Sequence, residues 1–93
     1  MPRFNPRDVQ EILDMLEDGI SSIPKLDKIE KMKMRSQIRR QGGWISVLGR
    51  PSGEMIYQRL EERLSDIFPL YPYDFRDRLK RLLLEKSKLV RSP

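Results

Sequence analysis

The chain has 93 residues and contains neither cysteine nor histidine. Without cysteine, no disulfide can brace the fold and no thiolate can bind a metal or attack a substrate. Without histidine, the usual proton shuttle and the commonest metal ligand are also missing. No apolar run approaches the roughly 18 residues of a membrane span, and residues 1–4 do not open a signal peptide, so a cytoplasmic or nuclear protein is expected. Catalysis would have to draw on Asp, Glu, Lys, Ser and Tyr alone. The most obvious carboxylate pair, Glu61 and Glu62, is adjacent in sequence. On a helix two such side chains diverge, and Glu62 is placed to pair with Arg59. A non-enzymatic protein is expected, with no cofactor and no bound metal.

Glycine is scarce, and four of the five glycines fall between Arg39 and Glu54, in RRQGGWISVLGRPSGE, together with the sole tryptophan. The cluster invites comparison with phosphate-gripping loops. A P-loop needs G-x-x-x-x-G-K-[ST] after a strand, and no Lys-Ser or Lys-Thr follows these glycines. The G-x-G-x-x-G spacing of dinucleotide sites is missing too, in a chain too short for a doubly wound sheet. The stretch LGRPSGEMIYQRL resembles the turn and second helix of a helix-turn-helix, which would make residues 53–68 the recognition helix. That helix would carry Glu54, Glu61 and Glu62 toward phosphates that repel them, so the resemblance is not the preferred reading. The stretch is read instead as a connector, residues 42–52, holding a short strand or a helical turn, with Trp44 pinning it to the core.

Around that connector the apolar residues recur at helical spacing. A compact all-α domain of about four helices is expected, at residues 6–18, 25–41, 53–68 and 72–90, forming one domain over 1–93. Asn5-Pro6 starts the first with an N-cap and a proline at the first helical position, and Val9, Ile12, Leu13 and Leu16 form its inner face. Gly19 suits a left-handed cap at its end. Ser52 caps the third helix, whose Met55, Ile56, Leu60, Leu64 and Ile67 face the core until Pro69. Phe75, Leu79, Leu82 and Leu83 do the same in the fourth. The methionines Met32, Met34 and Met55 are expected to fill gaps in the core or to form an adaptable apolar groove, and Phe68, Tyr71, Tyr73 and Phe75 to close one end of the bundle, where a tyrosine also suits a protein interface.

The charge pattern carries the functional expectation. Net charge is +5, but residues 1–24 are net −3, 25–50 net +6, 51–72 net −2 and 73–93 net +4. The second helix is strongly basic, and at 100° per residue Lys28, Lys31, Arg35 and Arg39 share a face, with Arg40 and Arg50 continuing the charge toward the glycines. Such a row can lie along a phosphate backbone and release counterions. Arg76, Arg81 and Lys88 would widen it if the last helix lies nearby. The expected partner is nucleic acid, RNA rather than sequence-read DNA, met by Lys28, Lys31, Arg35, Arg39, Arg40 and Arg50. The alternative is an adaptor or homodimer whose basic helix docks an acidic protein surface. A small, basic, cysteine-free helical chain is also the kind that viruses and phages often encode as regulators.

Overall fold

In the computed structural model, which describes residues 2–91, the chain is all-helical, with no strand among the described residues. Four main helices are α1 (Pro6–Ile20), α2 (Lys28–Arg40), α4 (Gly53–Arg63) and α5 (Tyr73–Arg91). A short α3 (Gly42–Val47) follows α2 after the single residue Gln41. The connector thus holds a helical turn, not a strand.

α1 is the element the others share: α2, α3 and α5 all pack on it, while α4 packs on α5. Its start follows from local chemistry, since the Asn5 side chain accepts the Asp8 amide at 2.8 Å and Pro6 has no amide to leave unpaired. Val9, Ile12, Leu13, Leu16 and Ile20 are all buried, so the inner face spans four turns. The helix runs two residues past the expected end at Asp18. Gly19 is not a left-handed cap, because no glycine among the described residues has positive φ. Ser21 and Ser22 close the helix instead, their hydroxyls donating to the Asp18 and Gly19 carbonyls at 2.7 and 2.6 Å. Gly19 is there for its size. A Cβ at this position would stand 2.4 Å from the Phe75 ring and 2.8 Å from the Tyr71 ring.

α2 starts three residues later than expected. Lys25 has φ 65°, a left-handed turn that no helix can include, and Asp27 caps the helix through a reciprocal box with Glu30. The Glu30 amide donates to Asp27 Oδ1 at 2.8 Å, and the Asp27 amide donates to Glu30 Oε1 at 3.3 Å. The expectation of one helix over 53–68 is corrected in its last turn. The backbone leaves helical geometry at Leu64 (φ −111°, ψ 40°), and Phe68–Leu70 forms a separate 3-10 turn. Leu64, Ile67 and Phe68 stay buried across the break, so their helix-like spacing concealed it.

That break makes the aromatic corner. Tyr71 stacks on Phe75 with centroids 4.4 Å apart, and Phe68 meets both Tyr57 and Tyr71 edge-on. Tyr73 is exposed and takes no part in the closure expected of it, although Arg76 lies over its ring. At the other crossing, a Cβ on Gly53 would stand 2.8 Å from the Leu84 main chain, so α4 and α5 touch backbone to backbone. No alanine occurs in the chain, and glycine is the small residue at both close approaches.

Candidate functional site

α2 is the least buried helix of the fold. Ten of its thirteen residues are exposed, Lys31 and Met34 are half-buried, and Ile38 alone is fully buried. Burial of one such side chain stabilises docking by about 1.5–3 kcal/mol, so α2 is held on α1 with little apolar burial of its own and turns most of its surface outward.

Helical geometry sorts that surface. At 100° per residue, Lys31, Met34 and Ile38 fall on the inner side, in agreement with their burial. Opposite them run Ile29, Met32 and Ser36. Lys28, Arg35 and Arg39 lie along one flank of that ridge, and Lys33 and Arg40 along the other. Ile29 and Met32 are each 64% exposed, so of the two roles expected for Met32 it does not fill the core. The outer face is therefore an apolar ridge between two rows of cations. Met32, Arg35, Ser36, Arg39 and Arg40 line a shallow depression of about 500 Å³ on it.

The expected site residues divide by their partners. Arg39 Nε donates to Glu17 Oε1 at 2.9 Å, with the carboxylate largely buried on α1. That pair partly neutralises the flank and orients α2 on α1. Among the described residues, no carboxylate lies within 4.0 Å of the cationic groups of Lys28, Lys31, Lys33, Arg35 or Arg40. Lys31 is half-buried at the foot of its flank, and Lys28, Arg35 and Arg40 are exposed. Arg50 lies apart from them, beyond α3, exposed in a left-handed turn (φ 47°) where its amide donates to the Pro2 carbonyl at 2.7 Å. The last helix does not widen the α2 surface as expected. α5 packs on α4 and α1, whereas α2 packs on α1 and α3, so α1 stands between them.

A second cationic feature escaped the sequence. The Trp44 ring is half-buried, and its Nε1 donates to Gln41 Oε1 at 2.8 Å while Gln41 Nε2 donates to the Gln37 carbonyl at 3.1 Å. Over the fixed indole lie two guanidinium groups from α4, Arg59 at 5.1 Å and Arg63 at 5.5 Å from its centroid. Arg59 thus lies over Trp44 and does not pair with Glu62. The spacing of four between the two arginines places them on one face and was readable; the helix that would receive them was not.

The opposite side of the molecule is acidic. Glu11, Asp14 and Asp18 of α1 line a groove of about 540 Å³ against Phe75, Arg78 and Leu82 of α5. Beside it, the Lys86 ammonium bonds Asp8 at 2.8 Å and Glu11 at 2.6 Å. α1 therefore turns Glu17 toward α2 and Asp8 and Glu11 toward α5, leaving Asp14 and Asp18 at the surface.

No family model, curated protein or solved structure matches the chain. Among the described residues, no group of three or more carboxylates is arranged to hold a metal ion. No helix among them is long and apolar enough to cross a membrane.

Proposed function

We propose that the chain is a non-enzymatic nucleic-acid-binding protein whose α2 lies along a phosphate backbone, RNA before sequence-read DNA. The observation that carries this reading is the set of four exposed cations, Lys28, Lys33, Arg35 and Arg40, that no carboxylate neutralises on a helix whose outer surface is open. Cations without internal partners lose nothing by exchanging water and counterions for phosphate, and the released counterions drive binding. The acidic groove between α1 and α5 favours one orientation of the molecule, with α2 toward a polyanion and that groove away from it.

Binding to labelled duplex RNA, duplex DNA and single strands between low and moderate salt tests the proposal. Three to five phosphate contacts correspond to a log–log salt slope of about −3 to −5 on a duplex. Reversing Lys28, Arg35 and Arg40 to Glu should abolish binding while leaving the unfolding midpoint nearly unchanged. Arg39 is left out of that variant because a carboxylate there would face Glu17. Absence of binding at low salt would sink the reading.

One specific observation favours a second reading. Ile29 and Met32 project from the middle of the basic surface, where a phosphate backbone offers them nothing. An acidic protein partner with an apolar seam, a second copy of this chain included, would cover both the ridge and its flanking cations.

A further inference from the structure

Arginine over an aromatic ring is a common packing contact, and at Trp44 two arginines share one ring. Arg59 and Arg63 sit one helical turn apart on α4, both within cation–π range of the same indole, so two positive charges share one ring. Neither guanidinium has a carboxylate within 4.0 Å among the described residues. The ring itself is fixed by the chain of bonds from the Gln37 carbonyl through Gln41 to Trp44 Nε1. The two guanidinium groups thus sit over a platform that is itself held, and no carboxylate among the described residues occupies their N–H donors.

We infer that Arg59 and Arg63, placed over Trp44, form a second phosphate-binding position, which takes a phosphate of the same nucleic-acid strand that α2 holds. A guanidinium fork matches the oxygens of a phosphate group, and a guanidinium already held over a ring loses less side-chain freedom on binding than a free one. The chain path favours one continuous track. Arg40 ends α2, and Trp44 follows it by four residues, on the helix that begins after Gln41. The acidic side chains of α4 restrict the approach. At 100° per residue, Glu54, Glu61 and Glu62 lie on the outer face and the two arginines on the flank toward α3, so the anion is admitted from the Trp44 side. The net negative charge of residues 51–72 hides this position in a charge tally.

The inference rests on the reading of α2 as a phosphate-binding helix, and two arms separate their failures. Trp44 is the only tryptophan, so its fluorescence reports on the position directly. In the first arm the full chain is titrated with inorganic pyrophosphate at low salt. A saturable change in emission is expected, weakened at least tenfold in the Arg59→Gln/Arg63→Gln variant and kept in Lys28→Gln/Arg35→Gln. A silent indole, or a response that the Arg59→Gln/Arg63→Gln variant keeps, overturns the inference whatever α2 does. The second arm measures the salt slope on duplex RNA. Loss of one neutralised phosphate should lower its magnitude by about 0.9 in Arg59→Gln/Arg63→Gln. An unchanged slope, or no duplex binding by the wild-type chain, overturns the claim that both positions hold one strand. Undiminished duplex binding by Lys28→Gln/Arg35→Gln, with the slope lowered in the other variant, sinks the α2 reading and the shared strand with it, and leaves the phosphate position at Trp44 standing. Circular dichroism and the unfolding midpoint confirm that each variant is folded.

Discussion

The Tyr71 hydroxyl donates a 2.6 Å hydrogen bond to the main-chain carbonyl oxygen of Leu16, joining positions 55 residues apart. The donor is buried among Phe68 and Phe75, and the acceptor lies on the inner face of α1. A buried tyrosine needs such a partner, and this one fixes the corner between α4 and α5 against the centre of α1. The break at Leu64 becomes intelligible through it: a helix continued through Phe68 would carry Tyr71 elsewhere.

Tyr71→Phe keeps the ring packing and removes only the hydroxyl, so a loss of about 0.5–1.5 kcal/mol is expected in urea unfolding. Its pH dependence has a definite sign. Burial, reinforced by the negative charge of Glu17, pushes the Tyr71 phenol above its ordinary 10.0. The folded state therefore holds that proton more tightly than the unfolded chain does. The Tyr71 contribution is complete below pH 10 and is lost as the pH climbs above it. Part of the alkaline loss of stability should be absent in the Phe variant.

Lys86 ties the far end of α5 to the first turns of α1 by bonds to Asp8 and Glu11, with a side chain only 10% exposed. Burial by itself would lower the lysine pKa, but the hydrogen bonds and charges of the two carboxylates outweigh it and hold the group above 10.5. Lys86→Met keeps the stem and strands two partly exposed carboxylates, for an expected loss of about 1–3 kcal/mol at neutral pH. The difference between wild type and variant should be constant from neutral pH up to about pH 10.5. It should shrink above that, as the ammonium deprotonates in the folded protein.

Two glycines predict opposite signs for the same substitution. Gly53→Ala drives a methyl to 2.8 Å from the Leu84 main chain, which cannot yield as a side chain can, so the α4–α5 crossing must open at a cost of about 1–3 kcal/mol. Gly43 lies in α3 with negative φ and nothing within 4 Å of the added Cβ. Gly43→Ala should raise stability by about 0.4–1 kcal/mol by restricting the unfolded chain. Thermal unfolding of the two variants side by side would expose an error in either assignment.

The sequence announced elements that carry their own chemistry. Asn5-Pro6 and Ser52 mark the starts of α1 and α4, and the four-turn apolar face of α1 reads as the centre of the fold. Where a residue's role depends on another helix, the same reading misled or fell silent. Gly19 looks like a cap by type, but it answers to Phe75 and Tyr71. Met32 looks like core by hydropathy, but only Ile38 of α2 is fully buried, and one-dimensional periodicity cannot say how much of a weakly amphipathic helix the rest of the fold will cover. The basic row of α2 was visible as charge; the Arg39 pair with Glu17 and the arginines on Trp44 depend on which helices meet.

The exposed pair Ile29 and Met32 separates the two readings of α2 more sharply than its cations do, since cations serve nucleic acid and an acidic protein alike. Ile29→Gln/Met32→Gln preserves every charge and removes only apolar surface that makes no fold contact worth keeping, so the midpoint of unfolding should hold or rise slightly. If phosphate is the partner, duplex RNA affinity should change less than threefold and the salt slope not at all, because the slope counts neutralised phosphates. If an acidic protein or a second copy is the partner, the two side chains sit where interface energy concentrates, at the centre of a ring of charge. Association, by sedimentation or against that partner, should then weaken by tenfold or more, with the salt dependence retained. An RNA affinity that fell tenfold at unchanged slope would place Ile29 and Met32 against bases and revise the picture of α2 as a reader of backbone alone.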